Sequence, residues 1–223
     1  MVNILLESYD INAPWLYEEL KKYIKPIHKV AVVAFSFRDN RVKSLADWNL
    51  LYSKENGRFY GGIVGSFASY GIPEENISFV NYFVDTKKSA KQKIEIADIV
   101  YFLGGLLDRM MERIKEFELQ DVLMKHTGIV MGYSAGAVIQ LTEYHLSPDE
   151  DYPEFGYYEG LSYLKDFYLE VHYKETASQK AAIEKVMTER KKTVYATALM
   201  KGAILVDNGS IRLLGDVKEY KQA

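Results

Sequence analysis

Three short runs limit what this chain can fold into more than anything else in it. KVAVVAFSF (residues 29–37), DIVYFLGG (98–105) and HTGIVMGY (126–133) are apolar almost throughout, rich in β-branched residues, and separated by segments with helical spacing. A strand in a sheet with one wet face alternates apolar and polar residues, whereas a strand apolar on both sides needs helices over both faces. The pattern continues in VNILL (2–6), NISFVNYF (76–83) and FYLEVHY (167–173), read as strands. PWLYEELKKYI (14–24), KKSAKQKIEIA (87–97), DRMMERIKEF (108–117) and SQKAAIEKVMTERKK (178–192) are read as helices. Alternation of this kind predicts an α/β fold, a three-layer αβα sandwich on a mostly parallel sheet. TVYATAL (193–199) predicts one more strand, and GAILVDNGSIRLL (202–214) two short strands turning at Asn208-Gly209, a type I′ hairpin signal. The Tyr- and Gly-rich stretch 49–70 reads as helical, and the acidic, aromatic stretch 143–160 as a loop.

With 223 residues, 48% of them hydrophobic, the chain carries enough apolar material for one core, so a single domain over residues 1–223 is expected. The formal net charge of -3, with both signs mixed along the chain, favours small and nearly neutral partners over nucleic acid or an anionic membrane. No cysteine is present, which removes disulfides, thiolate metal sites and a cysteine nucleophile together. The N-terminal residues lack the pattern of a secretory leader and no run is long enough to span a bilayer, so a cytoplasmic protein is expected.

The chemistry concentrates in GYSAG (132–136), where an apolar strand turns abruptly into a helical pattern. A sharp strand-to-helix turn forces unfavourable angles on its apex residue, and small neighbours let the apex hydroxyl stand in the open. Ser134 is the expected nucleophile, and the Ala135 N–H, opening the helix, the expected donor to an oxyanion. A serine hydroxyl needs a base within reach. Of the four histidines, His28 and His126 read as structural and His145 as a surface residue of the acidic loop with a lesser claim to touch substrate. His172 follows a strand and should open onto the same sheet edge as Ser134, which makes it the expected base. Gly105, directly after a buried strand, would let a ligand approach the backbone closely.

YFLGG, GYSAGA and LEVHY, in this order and rough spacing, resemble the peptidase E family of serine peptidases, which includes aspartyl dipeptidases and cyanophycinases. The resemblance runs over most of the chain. It implies a flavodoxin-like, class I glutamine amidotransferase-like fold, with Ser134 as nucleophile, His172 as base, and Gly105 with Ala135 as oxyanion donors. It also implies an acid some fifteen residues after the serine, where Asp149 is the best match and Glu150 and Asp151 are close rivals. Leu106 and Leu107 stand where aspartyl dipeptidases usually carry Asn and a polar residue, which argues against aspartyl specificity. Lys201 stands where many relatives carry an acid.

The expected activity is hydrolysis of a small peptide or peptide-like amide through an acyl-enzyme, with no metal or organic cofactor and with a homodimer left open. Tyr144, Tyr152, Phe155, Tyr157 and Tyr158 could cover the site, although packing of the loop onto the domain is the better reading. Two rivals remain: a non-catalytic binding or regulatory protein on the same fold, and a carboxylesterase. The second is disfavoured because His172 lies close after Ser134 and no upstream His-Gly-Gly element is present.

Overall fold

The computed structural model describes residues 1–222, apart from the side chains of Leu199 and Met200. Its strands are β1 (Val2–Leu6), β2 (Val30–Val33), β3 (Ile77–Val80), β4 (Ile99–Phe102), β5 (Ile129–Tyr133), β6 (Glu143–Leu146), β7 (Gly156–Glu159), β8 (Phe167–Tyr173), β9 (Thr193–Asp207) and β10 (Ser210–Tyr220). The helices are α1 (Pro14–Leu20), α2 (Leu45–Tyr52), α3 (Tyr60–Ala68), α4 (Lys87–Glu95), α5 (Leu107–Glu116), α6 (Gln120–Met124), α7 (Ala135–Val138) and α8 (Ala177–Arg190). Eight strands form the main sheet, in the order β10-β9-β1-β5-β4-β2-β3, with β8 also pairing to β9. From β1 to β3 every pair is parallel.

Successive residues of the central strands alternate between two cores. Ile4, Leu6, Val32, Tyr101 and Met131 face one apolar layer, which α1, α2 and α3 complete through Leu16, Trp48 and Phe67. Leu5, Val33, Val100, Phe102 and Val130 face the other, closed by Ile94 of α4, Met110 of α5 and Leu123 of α6. Both faces of the sheet are therefore covered, giving the three-layer αβα sandwich that the continuous apolar runs predict.

The hairpin turns at Asn208-Gly209 with φ of 47° and 85°, the two positive values a type I′ turn requires. Its strands are longer than the sequence suggests. TVYATAL and GAILVD, with the two residues between them, form one fifteen-residue strand, β9, whose first part pairs with β8 and whose last part pairs with β1. Residues 143–160 are likewise not a plain loop, since their ends pair as the antiparallel ribbon β6–β7. The stretch 49–70 divides into the end of α2 and then α3.

The topology also decides what gathers at one edge. Leu6 of β1 pairs with Tyr133 of β5, so the residues that follow, Glu7 and Ser134, leave the sheet side by side. β9 runs antiparallel to β1 and parallel to β8, so β8 runs against β1 and ends near the point where β1 ends. His172 reaches that edge from the opposite direction.

Candidate active site

Ser134 sits at the apex between β5 and α7 with φ 52° and ψ -118°, a conformation that costs a non-glycine residue about 1–3 kcal/mol. Three features of the surroundings hold it there. Its N–H donates to Leu6 O at 2.9 Å. A Cβ on Gly132 would collide with Gly136 O, and one on Gly136 with Phe102 O, so both glycines allow α7 to press against β4 and β5. Gln140, fully buried, donates to Ile4 O and Gly136 O and accepts from Asn3, tying the turn to β1. α7 has only four residues, so no long helix dipole builds up behind the turn, and what it offers an anion is its free N–H groups.

His172 is placed by a bulge. Between Glu170 and Tyr173, β8 advances three residues while β9 advances two, and His172 takes φ 54°. Bulges re-aim side chains. The ring turns toward β5, where Nε2 lies 2.7 Å from Ser134 Oγ. On its far side, Nδ1 lies 2.6 Å from Glu7 Oε1.

Glu7 is 3% exposed and faces donors only. The His172 backbone N–H reaches both carboxylate oxygens at 3.1 and 3.0 Å, and the Thr197 hydroxyl donates to Oε2 at 2.5 Å. A carboxylate that only accepts assigns the proton of the ring to Nδ1 and leaves the Nε2 lone pair facing Ser134. The pKa of His172 is raised from its usual value, chiefly by the hydrogen bond to Glu7 and against the opposing effect of burial.

Asp149 borders a cavity with His172, but among the described residues it forms no hydrogen bond to that ring, whose carboxylate partner is Glu7. Asp149 Oδ1 accepts the N–H groups of Asp151 and Tyr152, closing a turn in the acidic loop. Asp151 forms a two-pronged pair with Arg38, both contacts at 2.5 Å, and Glu150 is exposed. The acid beside the imidazole comes instead from the end of β1, more than a hundred residues earlier in the chain. One signal for it was present: Glu7 follows an apolar strand directly, as Ser134 does. Lys201 lies exposed on β9, and Leu107 turns into the core while Leu106 is half-buried.

Gly105 has φ 145°, and a Cβ there would strike Ser36 O. Leu106 N–H donates to the same Ser36 O at 2.8 Å, and Ser36 Oγ donates to Gly104 O at 2.6 Å, which pins the turn after β4. Among the described residues, neither the Gly105 nor the Ala135 N–H has an acceptor. A cavity of about 220 Å³ opens between Gly105, Ser134, His172 and Glu7, roofed by Tyr9 and Tyr133, whose rings meet edge to face at 5.8 Å.

The acidic-loop aromatics lie elsewhere. Tyr144 is buried, the Tyr152 hydroxyl accepts from Leu107 N–H and donates to Asp108, Tyr157 donates to Glu189, and Phe155 stacks edgewise on Tyr157. These contacts pack the loop down. Tyr158 stacks on Tyr144 at 5.7 Å. His145, expected at the surface, is 2% exposed, with Nε2 2.8 Å from Glu170 Oε2. Its place on β6 turns it inward between Phe155 and Tyr168. His126 follows α6, and burial lowers its pKa; His28 is partly buried, with Nδ1 accepting from Lys25 N–H.

Among the described residues, no helix is long and apolar enough to cross a membrane. A search of curated proteins finds no match. Among solved structures, the chain is similar to a protein from Listeria monocytogenes EGD-e described as a candidate peptidase E, at 16% identity and a TM-score of 0.64, covering 99% of this chain and 98% of that one. It is also similar to a peptidase from an acI-B1 Actinobacterium, at 15% identity and a TM-score of 0.59, covering 99% of this chain and 93% of the other. At such identities the likeness establishes the fold. The model of peptidase family S51 matches residues 65–214, about two thirds of the chain, a span that contains Gly105, Ser134 and His172 and leaves out Glu7. The chain therefore belongs to peptidase family S51 and is a serine peptidase.

Proposed function

We propose that the protein hydrolyses a small peptide or peptide-like amide through an acyl-enzyme on Ser134, with His172 as general base and acid and Glu7 as the carboxylate that orients it. The observation that carries this reading is the continuous contact from Ser134 Oγ through His172 to Glu7, 2.7 Å on one side of the ring and 2.6 Å on the other. General-base catalysis needs hydrogen-bond reach of this order, and the strained apex keeps the hydroxyl on the cavity side.

In the first half of the reaction Ser134 Oγ attacks the carbonyl carbon while Nε2 takes its proton. The carbonyl π electrons move to oxygen, where the Gly105 and Ala135 N–H groups receive the negative charge. When the carbonyl re-forms, the C–N bond breaks and Nε2–H gives its proton to the departing amine. Water then adds to the acyl carbon as Nε2 removes its proton, and collapse frees the acid and returns that proton to Ser134 Oγ. Throughout, Glu7 keeps the proton on Nδ1 and stabilises the imidazolium that forms twice per cycle.

Asp149 has no part in this scheme, because Glu7 occupies the Nδ1 side of the ring and Asp149 Oδ1 closes a turn of the loop. Aspartyl specificity is not part of the proposal. The test is a fluorophosphonate probe followed by peptide mapping. The reading expects one adduct, on Ser134, with labelling slowed at least about a hundredfold in His172→Ala. No adduct across a broad pH range would support a binding protein on the same fold. Turnover of simple esters far above that of every peptide would support a carboxylesterase.

A further inference from the structure

A second cavity, of about 370 Å³, shares Gly104 and Gly105 with the first and extends away from His172 beneath α2 and the segment after β2. Phe37, Val42, Leu50 and Phe59 give it an apolar wall. Leu50 is 62% exposed and Phe59 40% exposed, so part of this wall stands open to water.

The mouth is cationic. Arg38, Arg41 and Arg58 all border the cavity, but Arg38 is already held by Asp151. Among the described residues, Arg41 and Arg58 form no ion pair, although the Arg58 guanidinium leans over the Phe59 ring at 5.4 Å. One carboxylate, Asp47, also borders the cavity. It accepts the Lys43 N–H and the Ser44 hydroxyl, both at 2.9 Å, as part of the N-terminal cap of α2. The cavity thus offers two guanidinium groups outside any ion pair beside an apolar wall, with Gly105 in its lining.

We propose that this cavity binds the C-terminal residue of a short peptide, with an apolar side chain against Phe37, Val42, Leu50 and Phe59 and its free carboxylate at Arg41 and Arg58. The proposal rests on the acyl-enzyme reading and names the substrate class for that same site. A ligand that is apolar in its body and anionic at one end fits such a cavity. In a short peptide, a C-terminal leucine or phenylalanine supplies both within one residue. An acidic side chain would leave the wall without a partner, and a basic one would be repelled at the mouth. Guanidinium groups suit carboxylates through their paired donors, and the apolar wall contributes by burial. The residue so held departs as the amine when the bond before it is cut.

Protection of Ser134 from fluorophosphonate by added peptides tests this without requiring that any of them be cleaved. Ala-Leu and Ala-Phe are expected to halve the labelling rate at concentrations at least about fivefold below those of Ala-Asp, Ala-Lys and Ala-Leu-amide. Arg41→Gln and Arg58→Gln should each reduce the difference between Ala-Leu and its amide, and Leu50→Asp should weaken Ala-Leu while the exposure of residue 50 spares the fold. Equal protection by all five peptides, or none by any, with wild-type Ser134 still labelled, would overturn the subsite alone. Absence of labelling in the wild-type protein would overturn the acyl-enzyme reading and the subsite with it.

Discussion

Replacing Glu7 with Gln is the substitution whose consequences the structure fixes best. Glutamine keeps the size and shape of the side chain but removes the negative charge 2.6 Å from His172 Nδ1. It also brings an NH2 group among donors, since His172 N–H and the Thr197 hydroxyl both point at the same carboxylate. Either the amide oxygen faces Nδ1, which keeps the tautomer and loses the charge, or the amide nitrogen does, which moves the ring proton to Nε2 and blocks the base. The loss of an orienting carboxylate in a serine–histidine–acid arrangement is worth about 10³–10⁴ in kcat, or ~4–5.5 kcal/mol at ~1.36 kcal/mol per decade.

A pH profile separates this from simple damage to the fold. His172 must be neutral to act as base, and its pKa is raised above the usual histidine value mainly by Glu7, with burial opposing. Wild-type kcat/KM should therefore rise with pH through a midpoint above about 6.5. In Glu7→Gln the raising cause is gone and the lowering one remains, so the residual activity should rise through a lower midpoint. Steady-state kinetics between pH 5 and 9, on protein whose circular dichroism matches wild type, would measure both effects. A Glu7→Gln protein within about fivefold of wild-type kcat, or one with an unmoved midpoint, would refute the assignment of Glu7 as the orienting acid.

Other substitutions probe the rest of the arrangement. Asp149→Ala should leave kcat within about fivefold of wild type, because its Oδ1 closes a turn of the loop and Glu7 holds the His172 ring, and a loss approaching that of Glu7→Gln would contradict this. Thr197→Val removes a hydroxyl donor from Glu7 and should lower kcat about tenfold, with Thr197→Ser recovering most of it; equal loss in both would point to packing instead. Ser134→Gly should abolish peptide turnover yet melt about 2–4 °C above Ser134→Ala, because glycine relieves φ 52° at ~1 kcal/mol and alanine does not. A glycine variant melting at or below the alanine variant would show that the apex is not strained.

The sheet and most of the site could be read in the sequence because each left a local mark. Apolar runs such as KVAVVAFSF identify strands buried on both faces, Gly132 and Gly136 frame Ser134, and Asn208-Gly209 announces its turn. The mark Glu7 leaves, an acid directly after an apolar strand, is weak by itself. An acid after the first strand acquires meaning only once β1 lies between β5 and β9, and strand order is set by packing of the whole sheet. The family resemblance points instead past the serine to Asp149, on the opposite side of Ser134 in the chain, where Oδ1 closes a turn of its own loop. His145 was misplaced for a related reason: SPDEDYPE reads as a solvated loop, and the pairing of Tyr144 with Tyr158 that makes β6 and β7 a ribbon is not visible along a single strand. The place of His172 after a strand is legible in the sequence, whereas the bulge and the reversed direction of β8 that bring it to Ser134 are not.

The central claim is that the hydroxyl of Ser134 carries the substrate's acyl group between two half-reactions. Rapid acid quenching of the enzyme mixed with a turned-over peptide or its activated ester, followed by intact mass and peptide mapping, looks for that species directly. The account predicts a mass gain equal to the acyl group, located on the peptide containing Ser134 and decaying as product acid appears. Steady turnover with no acylated protein at any quench time, or an acyl group on a different residue, would contradict it.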